Sequence, residues 1–514
     1  MYESEDRSSI STQDALPLAK QWLDSCLASH KICNSLKLHH TPTRLLYLGG
    51  KDPCLLLVSE RDKASRYATL SHCWGSLSFQ TLKKDNLNAF QKRIPTEALT
   101  DTFQDAIYIV RYLGLNYLWI DSLCIVQDDE NDWRKEAALM SSVYGGSSIN
   151  ISASSAKNGT FGCFQKRHSS WKYQIQAGQG IEPLLFDCVP GSFQRSLLDS
   201  PLVSRGWVLQ ERVLSCRNLH FAQNEVFWEC QERLACETFP EQLPACLDRG
   251  FRLLHRPLEI KVWGAIIEKY SGCELTYSKD KLIALSGLAR IVQTNSADEY
   301  VAGMWRKDLE TQLLWYAYSP MPRISPYAAP SWSWASSGSP IRSSSLLEVP
   351  AGIHRKLATV QDIKIECVSR DPFGEIKSAN LRICCQYFIR TTIRQKDELW
   401  YFSPKFAEQL WNLSCRFDCL DTETVETVEV YILPIILHLR NGTERFFGIM
   451  VEPTGERKGQ YRRVGEFSWL EPGYNVVPTF IELCENAETQ VDDTEYVEVS
   501  VGEVGIKQYI IDMI

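Results

Sequence analysis

The sequence predicts an α/β protein, with a mainly parallel sheet core carrying helical elaborations and a β-rich C-terminal domain. Three observations carry this. Between residues 60 and 155 apolar strand-like runs alternate with segments of helical period, residues 255 to 318 are mostly helical in spacing, and beyond residue 346 the apolar runs alternate or are β-branched. At 514 residues the chain has room for about three domains. We divide it into a lead-in of helix and strands (1–59), an α/β core (60–235), a helical extension (236–340) and the β-rich domain (341–514).

In chain order, residues 16 to 33 have helical spacing, and LLYLG (45–49) and CLLLV (54–58) are short strands. YATLSHCWG (67–75) is a β-type run ending in glycine. Phe103, Ala106, Ile107, Val110 and Leu113 then share one face of a helix, with Asp101 and Gln104 as a capping box and Gly114 as the stop. YLWIDSLCIV (117–126) is almost continuously apolar, as a strand buried on both faces would be. A second helix is expected from Asp132 to Tyr144, stopped by Gly145-Gly146, and SINISAS (148–154) is the next strand. Strand, helix, strand, helix, strand implies parallel pairing with right-handed crossovers. Ser71-His72 and Asp121 should therefore lie at the same sheet edge. GWVLQERVLS is expected as a further strand, as is each half of RNLHFAQNEVFWEC around a turn at Gln223-Asn224. The serine-rich stretch from Ser336 to Ser345 has the composition of a linker.

Sixty-three acidic against 55 basic residues give a net charge of −8 with no basic stripe, which disfavours nucleic acid as a partner. The opening MYESEDRSSISTQDALP is polar and acidic, so neither a secretory signal nor a transit peptide is expected. No run reaches the roughly 18 apolar residues of a membrane span. Eighteen cysteines without an export signal point to reduced thiols and a cytoplasmic protein. P-loop, dinucleotide-binding and nucleophile-elbow motifs are all missing from the sequence.

Several residues could carry chemistry. Cys26, His30 and Cys33, spaced C-x3-H-x2-C, offer three zinc-type ligands, but no fourth is evident and on one helix they share a face, so a core role and no metal are expected. His72 and Cys73 point to opposite sides of a strand and cannot form a dyad. His72 is nonetheless placed where open α/β sheets bind ligands, the alternative being packing. Asp121 either caps its loop or orients a ribose or substrate. On a helical wheel Glu136 falls at the margin of the buried face, half turned to the sheet edge, where it is either a catalytic carboxylate or a rim acid paired with a cation. Arg205, Glu211 and Arg212 flank Trp207 as an internal ion pair or, through Arg205, as an anion contact. Trp332 and Trp334 are expected to bury their indoles. The candidate set is thus Glu136 for catalysis and Ser71, His72, Trp74, Asp121 and Arg205 for ligand binding.

Four Trp-rich blocks, YATLSHCWG, YLWIDSLCIVQDDENDWRKEAALMSSVYGGSSINISAS (117–154), SRGWVLQERVLSCRNLHFAQNEVFWEC (204–230) and APSWSWAS (329–336), resemble the fungal heterokaryon-incompatibility (HET) domain in order and spacing. The resemblance extends over roughly residues 20 to 340, taking in WLDSCLASHKIC, PTRLLYLG, LTYSKDKLIALSGLA and VAGMW. It implies a fungal protein of self/non-self recognition and regulated cell death. The family's core is in turn similar to the TIR domain, a flavodoxin-like sheet whose members often hydrolyse NAD at the nicotinamide–ribose bond. Those enzymes use a glutamate in a Trp-Cys-x-x-Glu setting. The matching positions are Trp133 and Glu136, with Arg134 where cysteine is usual. NAD(P) is then a substrate rather than a cofactor, an incompatibility protein is the partner, and activation involves a homo-oligomer. The alternatives are a non-enzymatic signalling module and an auxiliary protein of a fungal biosynthetic cluster.

Overall fold

A computed structural model describes residues 10–35, 41–58, 66–167, 173–177, 184–188, 194–245, 247, 258–344, 354–396, 399–402, 413–419, 427–440, 443–470, 491–501 and 507–514. The first nine residues, Glu426 of the expected strand ETVEVYILPIIL and residues 502–504 of the expected strand YVEVSVGEV lie outside these. The chain divides into two compact units, Met1–Arg256 and Pro257–Ile514.

The first unit is built on an eight-stranded sheet. Its strands are β1 (Arg44–Tyr47), β2 (Cys54–Leu57), β3 (Ala68–Ser71), β4 (Tyr117–Trp119), β5 (Ile149–Ser152), β6 (Arg217–Phe221), β7 (Val226–Cys230) and β8 (Leu234–Cys236). They lie in the order β8-β7-β6-β5-β3-β4-β1-β2. The four central neighbours, β6, β5, β3 and β4, are parallel, and every other pair is antiparallel. Every residue of β3, β5 and β6 is buried, as near-continuous apolar runs between two covered faces require. Counted along the chain, the parallel strands stand 2-1-3-4, so the winding direction reverses between β3 and β5. Ser71 closes β3, and Asp121 follows β4 by two residues, so both are at the C-terminal edge as expected.

The helices of this unit include α1 (Leu16–Ser29), α2 (Lys31–Ser35), α3 (Asp101–Tyr112), α4 (Asp121–Cys124), α5 (Glu130–Gly146) and α6 (Gly206–Leu214). α3 buries the predicted face, but its N-cap is Thr100, whose hydroxyl accepts from the Phe103 amide, while the Gln104 side chain turns back to the Leu99 carbonyl at 2.8 Å. Gly114 ends the helix at φ +83°, a conformation only glycine adopts without cost. The expected strand 117–126 stops at Trp119, and α4 takes over one residue later with the Asp121 carboxylate accepting from the Ser122 amide at 2.7 Å. GWVLQERVLS is the α6 helix and not a strand. All its residues except Trp207 are buried, so no polar face remains to mark the 3.6-residue period. The hairpin of β6 and β7 is as expected, with its turn at residues 222–225.

The second unit carries helices Ile260–Ser271 and Ser286–Ser296 and an 11-stranded, almost wholly antiparallel sheet formed by strands from His354–Lys356 to Lys507–Met513. Trp332 and Trp334 are fully buried, with the Trp334 indole donating to the Gly303 carbonyl at 2.8 Å. The serine-rich stretch lies inside this unit, where Ile341–Arg342 pairs with Tyr316–Ala317. No helix among the described residues is long and apolar enough to cross a membrane.

Candidate functional site

The C-terminal ends of the parallel strands hold two polar groups, one on each sheet face, because Ser71 and His72 are adjacent on an extended backbone. Thr69, Asn150 and Asn218 stand in register across β3, β5 and β6. The Asn150 side chain accepts from the Thr69 hydroxyl at 3.0 Å and donates to the Asn218 amide oxygen at 3.0 Å. Two residues beyond Thr69, the Ser71 hydroxyl accepts from Asn150 at 3.0 Å and donates to the Glu211 carboxylate of α6. The Asn218 amide donates to the Arg212 carbonyl at 3.0 Å. This polar layer fixes α6 on the sheet. Glu211 is fully enclosed, and burial, opposed by the charge of Arg205 and the Ser71 bond, pushes it up to about 7.

The other group surrounds His72, which is 3% exposed. Phe103 meets it edge-on at 5.0 Å, Trp74 stacks at 6.5 Å, and Phe79 lies edge-on at 6.4 Å. Its Nδ1 is 3.7 Å from the Asp121 carboxylate, and its Nε2 has no hydrogen-bond partner among the described residues. Burial, opposed by Asp121, holds the imidazole down to about 4, so it is neutral at physiological pH. The Trp74 indole donates to Asp121 at 2.9 Å, and the Arg205 guanidinium donates to the His72 carbonyl. Trp74, Phe79, Asp121 and Arg205 are each part-exposed, whereas His72 beneath them is not. Gly75, the glycine closing YATLSHCWG, has φ +66°, and a Cβ there would stand 2.4 Å from the Asn158 side chain, so this close approach requires glycine.

His72, Trp74, Asp121 and Arg205 are therefore brought together, and Ser71 is at the same edge on the opposite face. Glu136 is not in contact with either group. Its expected margin position, half open to a cleft, is corrected: the side chain is 1% exposed and lies 3.5 Å from the Arg44 guanidinium. Arg44 reaches it because β1 runs beside β4, and the same guanidinium bonds Asp132 at 2.5 Å and the Cys124 carbonyl at 2.6 Å. The paired-acid alternative at this position thus has its cation. Residues missed by sequence reasoning are Phe79, a lone aromatic in a polar loop, and Asn150 and Asn218, polar residues inside otherwise apolar strands. A concave region of about 220 Å³ lies at the opposite, N-terminal end of the strands, lined by residues including Arg66, Asn116 and Ser148.

The absence of a fourth ligand beside Cys26, His30 and Cys33 is also corrected. Cys230, some 200 residues on, brings its sulfur to them, and the four donor atoms lie within 4.8 Å of one another.

The raised Glu211 acid has a measurable consequence. A carboxyl whose folded value lies above its unfolded one contributes stability that is fully present below the ordinary glutamate range and is lost as pH rises through about 7. Glu211→Gln, which cannot ionise, should therefore gain about 2–3 kcal/mol relative to the wild type between pH 5 and pH 8, at 1.36 kcal/mol per pH unit. Urea unfolding of both proteins at the two pH values measures this. Parallel profiles would show that Glu211 is not the titrating acid.

Residues 67–211 match the family model of the Heterokaryon incompatibility protein (HET), and this stretch is accordingly a HET domain. The match opens on Tyr67, one residue before β3, and closes on Glu211, so it takes in the His72 group and, of the other group, Thr69, Ser71, Asn150 and Glu211 but not Asn218. It supports a role of the heterokaryon-incompatibility type. No curated protein and no solved structure matches the chain.

Proposed function

We propose that the protein is an effector of fungal self/non-self recognition and regulated cell death whose HET domain hydrolyses NAD(P) at the nicotinamide–ribose bond. The observation that carries this reading is the part-exposed set Trp74, Phe79, Asp121 and Arg205 over the neutral His72, at the strand ends beside the reversal of winding. Open α/β sheets take nucleotides at such a reversal, and the 2-1-3-4 order agrees with a flavodoxin-like or TIR-like core. The chemistry of the set fits a nucleotide: aromatic faces for a planar ring, a carboxylate for ribose hydroxyls, a guanidinium for phosphate. Cleaving the glycosidic bond leaves positive charge on the sugar, which a carboxylate stabilises. Asp121 is our choice for that carboxylate because its side chain is 22% exposed, whereas Glu136 and Glu211 are enclosed.

Incubating the purified chain with NAD or NADP and following nicotinamide release tests the reading. Turnover that is absent in both monomeric and oligomeric fractions would reject hydrolysis. One feature favours the second reading, a non-enzymatic signalling module: Arg205 is already engaged by the His72 carbonyl. A protein that binds NAD without cleaving it would support that reading.

A further inference from the structure

We propose that Cys26, His30, Cys33 and Cys230 bind one structural zinc ion that fastens the N-terminal helices to strand β7. The inference is independent of the enzymatic reading. The helix is interrupted between these ligands: α1 ends at Ser29, His30 adopts an extended conformation (φ −80°, ψ 109°), and α2 starts at Lys31. The three residues are therefore not on one helical face, and the kink turns Cys33 back toward Cys26 and His30. Cys230 comes from the opposite direction. It is the last residue of β7, two positions after Trp228, and so projects from the same sheet face. That face receives α1, whose Trp22 ring lies 6.3 Å from the Trp228 ring.

The donor set and its size fit zinc. Three thiols and an imidazole are a structural Cys3His set, and the C-x3-H-x2-C spacing is of the compact kind that such sites use. With bonds of about 2.3 Å to sulfur and 2.0–2.1 Å to nitrogen, a tetrahedron has sulfur–sulfur edges of about 3.8 Å and nitrogen–sulfur edges of about 3.5 Å. The His30 Nδ1 stands 3.8 Å from the Cys33 sulfur and 3.3 Å from that of Cys230. All four residues are buried, with the cysteines at most 2% exposed, which leaves no open position for a substrate or water and marks the site as structural.

Charge supplies an independent argument. Arg217, the cross-strand partner of Cys230, is fully buried. Its guanidinium donates to the Cys26 sulfur at 3.1 Å, to the Asn34 side chain at 2.9 Å and to the Ser148 and Cys33 carbonyls at 3.5 Å, with no carboxylate in ion-pair range among the described residues. A buried cation needs a counter-charge. A zinc ion held by three thiolates and a neutral imidazole carries one net negative charge, and Arg217 neutralises it. The hydrogen bond from Arg217 to a ligating sulfur is also the kind of outer contact that orients metal ligands. Binding releases one proton from each thiol and requires no redox partner.

Elemental analysis of the full chain, purified without chelator and then incubated with zinc under reducing conditions, should give one zinc per chain. Titrating the metal-free chain with Co(II) should give the thiolate-to-cobalt charge-transfer band at one equivalent, a readout in the wild type that does not depend on a variant folding. Cys230→Ser should lower zinc to less than about a tenth of an equivalent, while Cys236→Ser, which removes a buried thiol elsewhere in the same sheet, should keep it. Chelator should lower the thermal midpoint of the wild type and not that of Cys230→Ser. Failure of the wild type to take up zinc and cobalt, retention of zinc by Cys230→Ser, or a disulfide between any two of the three cysteines would each overturn the proposal.

Discussion

Glu229→Ala is expected to destabilise the first unit by about 3–5 kcal/mol, the range for breaking a buried ion pair by removing one partner. Glu229 lies on β7 and is 4% exposed. It accepts from the Arg212 Nε at 2.7 Å and Nη2 at 3.1 Å, a two-point fork, and lies 3.0 Å from the His220 Nε2. Truncation takes the shared, two-point acceptor from a guanidinium that is itself 4% exposed. The effect should be structural in a specific sense. Arg212 follows Glu211 on α6, so loosening it also loosens the polar layer that holds Ser71 to that helix. At about 2–4 °C per kcal/mol for a domain of this size, the thermal midpoint should fall by roughly 10 °C. Glu229→Gln keeps the shape and an acceptor and should lose less, about 1.5–3 kcal/mol, the worth of a charged hydrogen bond. Equal losses for the two variants would mean that packing, and not charge, sets the value of this residue.

Much of this unit can be read from the sequence because its central strands are buried on both faces. ATLS, YLW and INIS are runs in which nearly every residue must be apolar or small, and the helices between them have one solvent face that displays the period. The same logic explains the errors. α6 is enclosed on all sides, so its pattern contains no polar stripe, and β-branched and aromatic residues made it look extended. The polar layer was invisible for the opposite reason: Asn150 and Asn218 are isolated polar residues, and only strand register brings them beside Thr69. The Cys26, His30 and Cys33 group was visible, but its fourth member was not, because a ligand delivered across about 200 residues depends on where a sheet edge meets a helix. Glu136 was placed correctly on its helix and incorrectly in its surroundings. The helical wheel gave the angle, but the partner that encloses it, Arg44, comes from an antiparallel strand that pairs outside the βαβ pattern.

That difference sets the second large effect. In the proposed reaction Asp121→Asn should lower nicotinamide release by 10²–10³-fold, about 3–4 kcal/mol of transition-state stabilisation, by analogy with the loss of one preorganised electrostatic group. Asparagine keeps an oxygen for the Trp74 indole, which bonds Asp121 at 2.9 Å, and loses at most the acceptor of the Ser122 amide at 2.7 Å, so its cost in stability should be about 1 kcal/mol. Glu136→Gln removes a charge that faces Arg44, but Arg44 keeps Asp132 at 2.5 Å, and the variant changes nothing that a ligand at the strand ends would touch. Its activity should stay within about threefold of the wild type, since a group outside the reacting set gives up little differential binding. Measuring thermal midpoint and turnover on the same preparations separates the outcomes. A large loss in Asp121→Asn at near-native stability supports a carboxylate acting at the sugar. If Glu136→Gln is the inactive variant while Asp121→Asn still turns over, the catalytic carboxylate is Glu136, and a conformation that exposes it must form on binding, because in the present one its side chain is 1% exposed.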